Sequence, residues 1–143
     1  MTDATKSVRI VIADDHERVR LGLVKLLDSH PGCKVVAAAN TGEAAIELVR
    51  QHSPDIAILD WHMPNGKVNG LEATREILKV LPKVRVLILT LHATKQLVRE
   101  ILEAGARGYV IKSDTGELLK AVDTLLEDKL SRVAGAKRKS LPS

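Results

Sequence analysis

Residues 56–60 read IAILD, four apolar residues closed by an aspartate, and this stretch decides the fold. An uninterrupted, β-branched run of this length suits a strand covered on both faces, as in a parallel sheet, better than the alternating pattern of a half-exposed antiparallel one. Working outward from Ile56–Leu59, runs of the same character recur at Val8–Ala13, Val35–Ala38, Val86–Leu89 and Tyr109–Ile111, so five buried strands are predicted.

The intervening segments have helical periodicity. Val19, Leu23, Leu26 and Leu27 share one face before the stop at Pro31-Gly32, and Thr41 can cap a second helix through Ala45, Ile46 and Val49. A third is expected from about Leu71 to Val80. Thr94 can cap a fourth, ending at Gly105, and Asp114 or Thr115 a fifth through Leu118, Leu119, Val122 and Leu125. Strand and helix thus alternate five times. Parallel strands need crossovers of one hand, which predicts an α/β fold with an open sheet and helices on two faces. In such sheets ligands gather beyond the carboxyl ends of the strands, where the strand order reverses.

At 143 residues the chain fits one domain with a real core, and that core must be aliphatic, for there is no Phe, one Trp and one Tyr. The lone Cys33 excludes an internal disulfide, no apolar run approaches the roughly 18 residues that span a bilayer, and the N-terminus lacks a secretory pattern. A soluble, cytoplasmic protein with no membrane role is expected. The net charge of +4 is local: Arg132, Lys137, Arg138 and Lys139 supply it, and the remainder balances. A basic nucleic-acid surface on the body is therefore not expected. Residues 1–7 read as an N-terminal extension, 8–130 as the domain, and 131–143 as a basic flexible linker or tail.

The predicted strand ends place Asp14 and Asp15, Asp60, Thr90 and Lys112 on one rim. Each alone would pass as a turn or cap residue. Together they form a chemical set: three carboxylates repel and raise one another's pKa unless a cation intervenes. A hard ion such as Mg2+ suits an oxygen site completed by water and substrate phosphate. A carboxylate can attack phosphorus to give an acyl phosphate, and Lys112 and Thr90 can meet the charge that spreads over the phosphoryl oxygens.

The segments IVIADDH (10–16), ILDWHMP (58–64), ILTLHA (88–93) and GARGYVIKS (105–113) resemble, in order and spacing, the signature segments of bacterial response-regulator receiver domains. The resemblance covers about residues 8–130 and implies a flavodoxin-like (CheY-like) fold with strand order 2-1-3-4-5. It implies phosphorylation of Asp60 by a sensor histidine kinase. Asp15 would ligate Mg2+ directly, Asp14 through water, and Asp60 with the backbone carbonyl of His62 would complete the protein ligands. Thr90 and Tyr109 would be the switch pair that alters the face of helix four, strand five and helix five. The Lys112-Ser113 pair is most like receivers of the NarL/FixJ (LuxR-type) class. That class implies homodimerisation on phosphorylation and DNA contact only through an output domain absent here. Such a domain is a signalling unit that catalyses only its own phosphorylation and dephosphorylation.

Two departures stand out. Gly70 falls six residues beyond Pro64 where four is commoner in the family, a two-residue insertion containing the turn signal Asn65-Gly66. Leu91 follows Thr90 where a small residue is usual, and its bulk is expected to slow attack by water. His16, His62 and His92 come from three loops without metal-ligand spacing and read as solvated or second to the ligands. His30 and His52 read as helix C-terminal charges, and Trp61 as an exposed or half-packed reporter rather than a catalytic group. Competing functions are a stand-alone phosphorelay receiver, a pseudo-receiver that docks or dimerises without phosphate, and an aspartyl-phosphate phosphohydrolase. The last would place a second Asp where His62 stands.

Overall fold

The computed structural model describes residues 7–134. Five strands, β1 (Val8–Ala13), β2 (Cys33–Ala39), β3 (Ile56–Asp60), β4 (Arg85–Thr90) and β5 (Gly108–Ile111), alternate with helices α1 (Glu17–Asp28), α2 (Gly42–His52), α3 (Gly70–Val80), α4 (Lys95–Glu103) and α5 (Thr115–Ala134). All pairings are parallel and the sheet order is β2-β1-β3-β4-β5, as expected.

Successive residues of a strand point to opposite faces, and the central strands feed two separate cores. Val11, Ala13, Ala57, Leu59, Val86 and Ile88 pack with α2, α3 and α4. Val8, Ile10, Ile12, Ile56, Ile58, Leu87 and Leu89 pack with α1 and α5. The first core is rich in alanine, including Ala45, Ala73, Ala104 and Ala106, which lets three helices approach one face. Two helices suffice on the other, where nearly every side chain is a large aliphatic. Burying a Leu or Ile contributes roughly 1.5–3 kcal/mol, so these faces hold the sheet without aromatic residues.

The helix starts follow from caps. Thr41 accepts from Ala44 N–H and Thr94 from Leu97 N–H, each at 3.1 Å. Of the two candidates for α5, the Asp114 side chain accepts from Glu117 N–H at 3.0 Å. Helix α3 opens with a capping box, in which Asn69 and Glu72 each accept the other's backbone N–H. The fifth helix continues past Leu130 to Ala134, while residues 1–6 and 135–143, where most of the predicted extension and tail lie, fall outside the described residues. His30 lies at the C-terminal end of α1, where its N–H donates to Leu27 O at 3.1 Å, and its ring also pairs with Asp123 of α5 at 2.8 Å, so it links two elements as well. Among the described residues no helix is long and apolar enough to cross a membrane.

Candidate functional site

Main-chain bonds that extend the ladder beyond the strands anchor the rim. Asp14 N–H donates to Ala39 O, Trp61 N–H to Leu89 O and Lys112 N–H to Thr90 O, at 3.1, 2.9 and 2.7 Å. The side chains of Asp14, Asp60 and Lys112 therefore project from fixed backbone. Helix α3 begins against the same point: Gly70 N–H donates to Trp61 O at 2.8 Å, and a Cβ on Gly70 would sit 2.5 Å from the Asp60 carbonyl oxygen. Only glycine permits that approach.

The structure brings Asp14, Asp15, Asp60 and Lys112 together. Lys112 Nζ donates to Asp60 Oδ2 at 2.8 Å and lies 2.9 Å from Asp14 Oδ2. Asp14 and Asp60 are 0% and 3% exposed. Burial is the main force pushing the Asp60 carboxyl above the usual range, and the Asp14 charge adds to it. The Lys112 hydrogen bond, the His62 N–H and the Lys112 charge pull the other way without prevailing. For Lys112 burial acts to lower the pKa, but its bond to Asp60 and the close charges of Asp60 and Asp14 outweigh it, and the ammonium titrates above its ordinary value. One cation among three carboxylates leaves the site short of positive charge.

Two buried oxygens register that deficit. Asp14 Oδ2 faces the Lys112 ammonium without hydrogen-bond geometry, and Asp15 Oδ1 lies 3.2 Å from His16 Nδ1, also without a hydrogen bond. Buried carboxylate oxygens that accept no hydrogen bond are costly, and a hard divalent cation would add the positive charge that Lys112 alone does not supply. Candidate ligand atoms of Asp14, Asp15, His16 and Asp60 lie within 4.8 Å of one another, so the donor set fits such an ion.

His16, expected to be solvated or second to the ligands, has a largely exposed ring that also joins this cluster. A signal for it exists. Asp14 Oδ1 accepts from His16 N–H at 2.9 Å and Asp60 Oδ1 from His62 N–H at 3.2 Å, so a repeated Asp-x-His spacing makes the same Asx-turn at two strand ends. Arg20, singled out by no motif, donates to the Asp14 carbonyl at 2.8 Å.

Thr90 is buried at the end of β4, and its hydroxyl donates to the His92 carbonyl at 2.7 Å. Tyr109 is half-buried and packs against the α2–α3–α4 core. A cleft of about 520 Å³ opens over Asp60, with Trp61, Leu91, Leu97, His62 and His92 among its walls. Leu91 is 65% exposed there. Trp61 is half-buried, its ring 5.7 Å from that of His62, in keeping with a half-packed reporter.

A parallel sheet of this order, carrying a buried aspartate and lysine cluster beyond its strand ends, defines a flavodoxin-like domain with a cation-competent acidic rim. The chain belongs to the response regulator receiver domain family, which it matches over residues 10–123. It is 40% identical over 121 residues to the transcriptional regulatory protein DegU of Brevibacillus brevis, covering 84% of this chain and 50% of that protein. A LuxR-family two-component response regulator from Aurantimonas sp. SI85-9A1 superposes with TM-score 0.78 at 38% identity, over 94% of this chain and 90% of that one. The signal receiver domain of the putative response regulator NarL from Mycobacterium tuberculosis gives TM-score 0.78 at 34% identity, over 85% and 98%. The NarL/FixJ, LuxR-type resemblance is thereby borne out. The chain spans about half the length of the curated relatives it matches.

Proposed function

We propose that the chain is a phosphorylation-controlled receiver in which Asp60 accepts a phosphoryl group, with Mg2+, from a phosphohistidine of a sensor histidine kinase. The observation that carries this reading is the buried Asp60 carboxylate bonded to Lys112 at 2.8 Å beside two acidic side chains whose buried oxygens accept no hydrogen bond. An Asp60 carboxylate oxygen attacks phosphorus, the bond from phosphorus to the donor's leaving nitrogen breaks, and the released imidazole takes up a proton from solvent. Lys112, held against Asp60 and Asp14, meets the charge the phosphoryl oxygens carry. Mg2+, when bound, neutralises further charge there; Asp14, Asp15, Asp60 and the His62 carbonyl would hold it.

Thr90 would then exchange its bond to His92 O for one to the phosphoryl group, and Tyr109 would move into the space released, a local charge event biasing a packing element. The response would be homodimerisation and control of transcription through a DNA-binding output domain, in the cytoplasm, with residues 131–143 entering the linker. The gathered acids and lysine give the pseudo-receiver reading no support.

Intact mass after incubation with acetyl phosphate, with and without Mg2+, tests the assignment. A Mg2+-dependent gain of about 80 Da in the parent, lost in Asp60→Asn, is expected. No gain under any condition would sink it.

A further inference from the structure

The insertion after Pro64 does not stand free in solvent. Lys67 N–H donates to Glu43 Oε2 at 2.8 Å, joining the β3–α3 loop to the first turn of α2. The Glu43 carboxyl is held below the usual range, chiefly by that N–H and by its own, with the Val68 N–H and the Lys67 charge adding to them. The seam is also close-packed. A Cβ on Gly42 would lie 2.5 Å from the Val68 carbonyl oxygen, and one on Gly66 would collide with the Glu43 carboxylate and come within 3.1 Å of Thr41 Cβ. Val68 itself packs on the α2–α3–α4 core.

The loop is thus held at three places. Met63 is buried at its start, Glu43 grips its middle, and Gly70 bonds back to Trp61 at its end. Between the first and second of these lie residues 64–66, which continue the backbone from Asp60 and His62 through Met63.

We propose that Glu43 is a positioning residue for the phosphoacceptor site: by holding the inserted loop on α2, it orders the backbone that follows Asp60 and so raises the affinity for Mg2+. This rests on the receiver reading of the site. The physical reason is preorganisation. A longer loop has more conformational freedom to lose when the His62 carbonyl is fixed on a cation, and a charge-assisted bond to its middle removes part of that freedom beforehand. Glu43 touches neither cation nor phosphate, and its effect passes through Lys67 and Val68.

The test is a Mg2+ titration of the full chain, read by fluorescence of Trp61, the single tryptophan and itself part of this loop. The proteins compared are the parent, Glu43→Gln, Glu43→Ala and Gly66→Ala, with amide exchange at Lys67 and thermal unfolding measured alongside. In Glu43→Ala the Kd for Mg2+ should rise about threefold to tenfold, near the low end for residues supporting metal ligands because Glu43 is exposed. Glu43→Gln, which keeps an acceptor, should recover most of the affinity. Gly66→Ala disturbs the seam from the other side and should weaken Mg2+ in the same direction, with the double variant less than additive. Tm should stay within about 2 °C of the parent, as for most surface substitutions. A parent-like Kd in Glu43→Ala, whether or not the Lys67 amide exchanges faster, overturns the proposal alone. A parent that shows no Mg2+ response overturns the cation reading of the site itself.

Discussion

The floor of the site and its β4–α4 edge are built to opposite standards. On the floor, Asp14 and Asp60 are buried, Lys112 bonds Asp60 and abuts Asp14, and each element is pinned by a ladder bond past its strand end. On the edge, Leu91 and Leu102 are exposed, α4 buries only Ile101 where α3 buries five residues, and Thr90 is engaged with a carbonyl of its own loop. The difference teaches that chemistry and response are assigned to separate parts. Charges must be held where they act, whereas an element with little apolar surface to lose can shift at small cost.

The sharpest way to break this comparison is to remove the floor's cation. Lys112→Ala should slow phosphorylation of Asp60 by acetyl phosphate about 100-fold to 1,000-fold, the scale of losing one preorganised donor in a buried site. Time-resolved intact mass would report it. If Lys112→Ala costs less than a Thr90 variant, the edge and not the floor carries the chemistry.

Thr90→Ala should cost no more than about tenfold in the same assay, the worth of one neutral hydrogen bond. Its larger effect should fall on the response. In the parent, deuterium uptake across residues 94–104 should change on phosphorylation, and in Thr90→Ala that change should be lost although the phosphoryl group is in place. A change confined to the peptides of Asp14 and Asp60 would reverse the assignment of parts.

Next is the energetic strain of the floor. The folded-state pKa of Asp60 is raised, so the native state binds this proton more tightly than the unfolded chain does. Stability from this group is therefore present at acid pH and is lost as pH rises from the ordinary value of 3.8 through the raised one. Without Mg2+, Asp60→Asn should stabilise the protein near neutral pH by about 1 kcal/mol, or roughly 3 °C in Tm, by removing a buried charge and, with it, the repulsion from Asp14. The gain should vanish below the ordinary carboxylate range. Lys112 acts with the same sign in a higher window, contributing stability that is lost as pH rises from the ordinary lysine value through its own raised one. Chemical denaturation of both proteins at several pH values checks the Asp60 window, and an Asp60→Asn protein less stable than the parent at neutral pH would show that the ion pair with Lys112 outweighs the cost of the buried charge.

The floor was also the more legible part of the molecule. Its strands are buried apolar runs and its functional residues are the polar letters that end them, so residue spacing locates Asp60 and Lys112 with no knowledge of contacts. Edges of elements were less legible. Strand β2 spans Cys33–Ala39 against the expected Val35–Ala38, for it is an outer strand whose partial burial blurs the pattern. Helix α3 starts at Gly70 because Asn69 and Glu72 form a box that reads, letter by letter, as loop. Glu43 was invisible for a different reason: its partner lies 24 residues away, and nothing in the periodicity of α2 marks one exposed acid over another. The Thr90 hydroxyl and its bond to His92 likewise depend on a loop path that no pattern encodes.

Leu91 offers the smallest and most discriminating test of the edge. Its exposed side chain forms part of the wall of the cleft over Asp60. If the edge affects the lifetime of the phosphoryl group only by obstruction, Leu91→Ala should speed hydrolysis about twofold to fivefold, a barrier change of no more than about 1 kcal/mol. The rate of phosphorylation should change less, because the donor brings its own binding contacts and the floor is untouched. Loss of the 80 Da adduct with time, after removal of acetyl phosphate, measures this directly. Equal hydrolysis in both proteins would free Leu91 from any part in the chemistry and leave its exposure to be explained by docking of a partner on α4. Slower hydrolysis in the variant would instead mean that Leu91 helps to position the attacking water, and the edge would then share in the chemistry that the comparison assigns to the floor.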